Sequence, residues 1–158
     1  MAHSKSKNGL LRHLEELEKE DLIAEIEKLC QKFEEVKKYF EIELSGDASK
    51  YVSAAKKKIT AQFWFSNGNM RFNPKSSKLN NIIKEFEQVS IYKQDVIELY
   101  LFRIEETARW SGDNLGLPGP LQHSTWRAMK TVQLMIEAEG LTGVYAERTL
   151  RFELPEGD

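Results

Sequence analysis

Phe63, Trp64, Phe65 and Phe72 interleave with Arg71, Lys75 and Lys78. Aromatic rings beside cations suit a single-stranded nucleic acid, because bases stack on the rings while the cations meet phosphates. The same rings also serve as core. Phe63 and Phe65 invite that reading, whereas Trp64 lies off the apolar stripe and is expected at the surface. Upstream, Lys50 and the triplet Lys56-Lys57-Lys58 add to the positive charge. Successive helical residues point about 100° apart, so the triplet spreads around a helix rather than along one line. It is read either as a phosphate-contacting group or as a solvated helix face.

What lifts these cations above an ordinary surface is their setting. Between Ala48 and Lys84 there is no Asp or Glu, while Lys50, Lys56, Lys57, Lys58, Arg71, Lys75, Lys78 and Lys84 all fall there. Residues 1–47 hold 8 Lys/Arg against 12 Asp/Glu, and residues 85–158 hold 7 against 13. A chain of net charge −2 thus contains a basic middle of +8 between acidic ends. Segregated charge creates a local field even where net charge is small. Two outcomes follow: the block meets an anionic partner, or acidic helices of the same chain dock on it.

Other chemistry is sparse. His3, His13 and His123 are too scattered for a zinc site, and no His-Glu-x-x-His or Cys-x-x-Cys is present. Glu105, Glu106, Asp113 and His123 around one loop offer a distant candidate for a divalent ion. The Gly-rich segment lacks phosphate-loop spacing, and nothing pairs a nucleophile with a base. Cys30 is the single cysteine and sits on an apolar stripe, which reads as a buried, inert thiol. No catalytic residue, metal ligand set or cofactor is assigned.

The elements that must position these residues are helical. Leu10, Leu11, Leu14 and Leu17 mark a first amphipathic helix, and Leu22, Ile23, Ile26, Leu29, Cys30 and Phe33 a second. Val36, Tyr39, Phe40 and Leu44 continue the pattern to Ser45-Gly46-Asp47, as one bent helix or two. Ser49 is placed to cap the next, whose stripe is Val52, Ala55, Ile59 and Phe63. After the turn Ser66-Asn67-Gly68-Asn69, Asn73 as cap and Pro74 in the first turn open a helix through Leu79, Ile82, Ile83 and Phe86. Residues 93–110 are apolar around much of the girth, through Val96, Ile97, Leu99, Tyr100, Leu101, Phe102 and Ile104, so this is expected to be the most buried helix.

Ser111 to Pro120 holds three Gly and two Pro and reads as a long loop. Trp110 and Trp126 flank it, either clamping a ligand or pinning the loop against its helices. A helix from Leu121 to Glu139 turns Met129, Val132 and Ile136 inward, and a last one spans about Thr142 to Phe152. The expected fold is all-α: one domain over 1–158, seven or eight helices in a helical-hairpin bundle or a weak solenoid, with flexible ends at 1–8 and 155–158. No fixed-period repeat is visible.

The opening Leu11-x-His13-Leu14-x-x-Leu17-x-Lys19-Glu20-Asp21-Leu22-Ile23 resembles the start of a bacterial family of small helical proteins of unknown function. Val36-Lys37-x-Tyr39-Phe40, Asn73-Pro74-Lys75 through Lys78, and Ile83-Lys84-Glu85-Phe86 are similar to it too, so the likeness runs to about Ile104. The resemblance implies a cytoplasmic helical domain and brings no catalytic residue.

These observations converge on a non-enzymatic, cytoplasmic interaction domain. Its expected partner is a macromolecule with an acidic surface, a protein first. The alternative is RNA or DNA bound by the block 50–84, and a metal-dependent enzyme comes third. No membrane span of roughly 20 apolar residues is present. The oligomeric state is not written in the chain.

Overall fold

A computed structural model describes residues 2–112, 117–150 and 152, with side chains from Lys7 onward. Eight helices follow one another among the described residues: α1 Ala2–Glu15, α2 Lys19–Lys32, α3 Glu34–Ser45, α4 Ser49–Phe63, α5 Ser76–Val89, α6 Lys93–Ser111, α7 Gly119–Ala138 and α8 Thr142–Thr149. The all-α expectation is met. The chain divides into two compact units, Met1–Glu41 and Ile42–Asp158.

In the first unit, α2 and α3 are separate helices. Phe33 between them is extended at φ −127°, ψ 110°, and its N–H closes the last turn of α2 on Leu29. The apolar rows expected along α1 and α2 exist, yet Leu10, Leu11, Ile23, Ile26, Leu29 and Phe33 are all exposed. Cys30 is half-buried, not enclosed as its place on the stripe suggested. Helix α1 begins at Ala2, inside the stretch expected as a flexible end.

The second unit owns the core. Helix α6 packs against α4, α5 and α7, α4 packs against α5, and α8 lies on α7. Helix α6 stands between two apolar clusters, which explains its girth of apolar residues. Val96, Leu99 and Trp110 join Ile42, Ile59, Phe63, Leu79, Ile83 and Phe86 in the larger one. Ile97, Leu101 and Ile104 join Ala128, Val132 and Ile136 in the smaller. Burying a side chain of this size contributes about 1.5–3 kcal/mol, so a helix feeding two clusters organises the unit.

Several boundaries differ from the sequence reading, each for a local reason. The N-cap position of α4 is Ala48, so Ser49 is not the cap; it is the first helical residue and donates its N–H to Asp47 Oδ1 at 2.8 Å and its hydroxyl to Oδ2 at 3.1 Å. Helix α5 starts at Ser76, with Lys75 extended before it, so Asn73 is not its cap and Pro74 is buried ahead of the helix. Helix α6 includes Ser111, and α7 starts at Gly119 with Pro120 inside its first turn, where proline needs no N–H partner. The link between them is therefore 112–118. Gly112 leaves α6 at φ +56°, a conformation that favours glycine.

Candidate interaction surface

Helix α4 stops at Trp64, which is extended at φ −131°, ψ 144°. The chain then folds back on itself. Phe65 N–H donates to the Asn69 carbonyl at 2.8 Å, Gly68 N–H to Phe65 at 2.9 Å, and Arg71 N–H to Phe63 at 2.8 Å. An isolated antiparallel bridge joins Trp64 to Met70. Gly68, at φ +83°, makes the reversal that a side chain would strain. The result is a self-bonded turn over residues 64–71.

One side of this turn is tied to α6. The indole N–H of Trp110 donates to the Arg71 carbonyl at 2.9 Å, and its ring lies 6.3 Å from that of Phe63. The Arg109 guanidinium sits 4.8 Å from the Trp64 ring centroid. Trp64 is thus half-buried rather than a free surface ring, and its own N–H is enclosed without a partner. The other side faces solvent. Phe65 and Met70 are about half exposed, at 47% and 46%, and Phe72 is wholly exposed. The Arg71 guanidinium stacks 4.2 Å from the Phe65 centroid. Core packing therefore accounts for Phe63 and in part for Trp64, which packs on the larger cluster, while Phe65 and Phe72 are exposed.

The cations separate into two groups. Lys56 Nζ lies 2.6 Å from Glu98 of α6 and 5.1 Å from the Phe102 ring centroid, while Lys58 lies 3.8 Å from Glu85 of α5. These two dock against acids of the same chain. Lys50, Lys57, Arg71, Lys75, Lys78 and Lys84 have no ion pair among the described residues. Lys50 stands 5.3 Å from the Tyr51 ring, and Lys57, Lys75, Lys78 and Lys84 are exposed. Lys75 and Lys78 lie at the start of α5, a few residues beyond Phe72.

The metal constellation is not assembled. Glu105 takes a two-pronged ion pair from Arg148, at 2.7 and 3.0 Å. Glu106 is buried and paired with Arg109 at 3.2 Å. His123 opens on a different cavity, and Asp113 lies outside the described residues. Among the described residues no three His, Cys, Asp or Glu side chains gather to hold an ion. Trp126 is half-buried on α7. Much of the loop that Trp110 and Trp126 flank, residues 113–116, is outside the described residues, while Leu117 packs on the larger core cluster.

Two charged residues escaped the sequence reading. Arg148 of α8 bonds Glu98 as well as Glu105, so Glu98 receives both Lys56 and Arg148. Burial pushes the Glu98 carboxyl upward, but the bonds from Arg148 and Lys56 outweigh it and hold the pKa below the usual carboxylate range. Arg103 is the other, 1% exposed in the middle of α6. Its signal was present: a charge set between Leu101 and Ile104 on the most apolar helix.

The fold is that of a small all-α protein whose second unit is organised by α6. The chain belongs to a family of unknown function, DUF6155, which it matches over residues 5–153. That match extends well beyond the Ile104 limit of the likeness seen in sequence. Among curated proteins and solved structures, none matches the chain. No helix among the described residues is long and apolar enough to cross a membrane.

Proposed function

We propose that this protein is a non-enzymatic binding domain of the cytoplasm, and that it grips a protein partner with an acidic surface. The observation behind this reading is the 64–72 segment. Its backbone is bonded to itself and to Trp110, yet it projects Phe65, Met70 and Phe72 into water beside unpaired cations. Phe65 and Met70 on the turn and the wholly exposed Phe72 just beyond it leave three apolar side chains of one short segment in water, which a partner would cover. Apolar anchors ringed by charge are the usual anatomy of a binding hot spot. Arg71, Lys75 and Lys78 supply charge complementary to an acidic rim and would steer the approach. The single, half-buried thiol Cys30 suits a reducing compartment.

The test uses two probes on the full chain. One is a synthetic peptide of alternating glutamate and leucine; the other is a single-stranded thymidine oligonucleotide. Fluorescence anisotropy should show saturable binding of the peptide with a shallow salt dependence. Phe72→Ser should weaken it at least tenfold. Binding of the oligonucleotide alone, with affinity falling steeply as salt rises, would favour the nucleic-acid reading instead. Binding of neither would remove both.

A further inference from the structure

Arg103 is the largest fully buried side chain among the described residues. Its Nη1 donates to Asn80 Oδ1 on α5 at 2.5 Å, and its Nη2 to Ser124 Oγ on α7 at 2.5 Å. Both acceptors are neutral. Its Nε–H is buried with no acceptor at all, and no carboxylate pairs with the group among the described residues. A buried ion without a counter-ion is among the costliest arrangements a fold can hold. Burial alone pushes this guanidinium down to about 10, with only Tyr100 opposing the shift.

The side chain opens on a cavity of about 340 Å³ between α5, α6 and α7. Arg127 and His123 of α7 line it, together with the hydroxyl residues Ser76, Ser77 and Thr131. No Asp or Glu is among the lining residues. Ser76 and Ser77 open the 14-residue helix α5, whose first turn receives no side-chain cap. Uncapped N–H groups and the positive end of the helix dipole favour an anion there. Two guanidiniums, an imidazole, hydroxyl donors and a helix start thus surround one hollow without a negative charge in it.

We infer that this cavity is a binding site for a small phosphate monoester, with the phosphoryl group placed between Arg103 and Arg127. Arginine forks match phosphate oxygens geometrically, and serine hydroxyls complete such a shell. The volume lies at the small end of ligand pockets and fits a phosphoryl group with a short organic part. This site stands apart from the proposed macromolecular surface: neither Phe72 nor Lys78 lines it.

Isothermal titration and thermal unfolding of the full chain, with inorganic phosphate and with glycerol 3-phosphate, test it against sodium chloride of equal ionic strength. Saturable heat and a rise in Tm beyond the chloride control are expected with one or both. A preference of tenfold or more for glycerol 3-phosphate assigns the site to phosphorylated metabolites, and equal affinity assigns it to phosphate itself. Arg127→Gln, at an exposed position, should weaken binding at least tenfold while leaving the unliganded Tm unchanged. Arg103→Met, an apolar replacement of similar reach, should abolish binding. If Arg103→Met does not fold, Arg127→Gln decides. No effect beyond chloride, or an effect that survives both substitutions, would overturn the assignment.

Discussion

The indole of Trp110 donates across 39 positions to the carbonyl of Arg71, at 2.9 Å. This bond ties the 64–71 turn to α6. Trp110→Phe keeps most of the apolar contact with Phe63 and removes the donor. The expected loss is about 1 kcal/mol, the usual net value of one such bond. Trp110→Ala should cost more, about 3–5 kcal/mol, because the ring is buried in the larger core cluster. Urea unfolding gives both values. Amide exchange at Gly68 and Arg71 should quicken in Trp110→Phe. Unchanged exchange would show that the turn is held by its own hydrogen bonds alone.

The smaller cluster offers a cleaner test of the core. Leu101 is 1% exposed and packs with Ile97, Val132 and Ile136. Leu101→Ala should destabilise by about 2–5 kcal/mol. Leu134, on the same α7 that completes this cluster, is 59% exposed, so Leu134→Ala should stay within about 0.5 kcal/mol. A loss under about 1 kcal/mol at Leu101 would mean that α6 is not the organising helix.

Glu98 predicts the acid side of the stability profile. Its folded pKa lies below its unfolded value, because Arg148 and Lys56 together outweigh burial. The unfolded chain therefore binds more protons here than the folded one, and stability rises with pH across that interval. The contribution is fully present above the unfolded carboxylate value of about 4.3 and is lost as pH falls through the depressed folded value. Asp47, lowered by the N–H and hydroxyl of Ser49, adds in the same direction. Asp95, raised by burial, works against both. Glu98→Gln should flatten the fall in Tm below about pH 5 while Asp47 and Asp95 remain unchanged. An identical acid limb in the variant would show that the Glu98 pairs contribute nothing net.

Much of the fold was legible because helical period is a local property. The stripes Val52-Ala55-Ile59-Phe63 and Leu79-Ile82-Ile83-Phe86 became buried faces, save for Val52, which is only half-buried, and α6 was recognised as central from its apolar girth. Helix starts were less legible. Ser49 has a capping side chain, yet it stands inside α4 behind Ala48 and bonds back to Asp47, an arrangement that composition alone does not disclose. The rows on α1 and α2 show the limit of periodicity: it says which residues share a face, not whether anything covers that face. Pairing across helices was invisible as well. Lys56 and Glu98 stand 42 positions apart, so the acid-free block did not disclose that two of its lysines meet acids from outside it. Arg103 had a sequence signal, a charge inside an apolar run, but its neutral partners come from α5 and α7 and emerge only on folding.

The basic block itself gives the last prediction. Lys57 and Lys75 are exposed, have no ion pair among the described residues, and flank the turn in sequence. Reversing both, Lys57→Glu with Lys75→Glu, changes the local charge by four units. Exposed lysines contribute little to stability, so Tm should shift by no more than the equivalent of about 0.5 kcal/mol per site. Lys56 is the useful contrast. It is held by Glu98 in a cluster with Arg148, so Lys56→Glu would place two carboxylates together and should destabilise the fold. Binding of the acidic glutamate–leucine peptide should be weakened in the double reversal, although the protein stays folded. The rate of association should fall more than the rate of dissociation rises, because charges at the rim of an interface act mainly on approach. If the double variant binds the peptide as well as the parent does, the cations of this block are only a solvated face. The exposed Phe65, Met70 and Phe72 would then have to account for recognition by themselves.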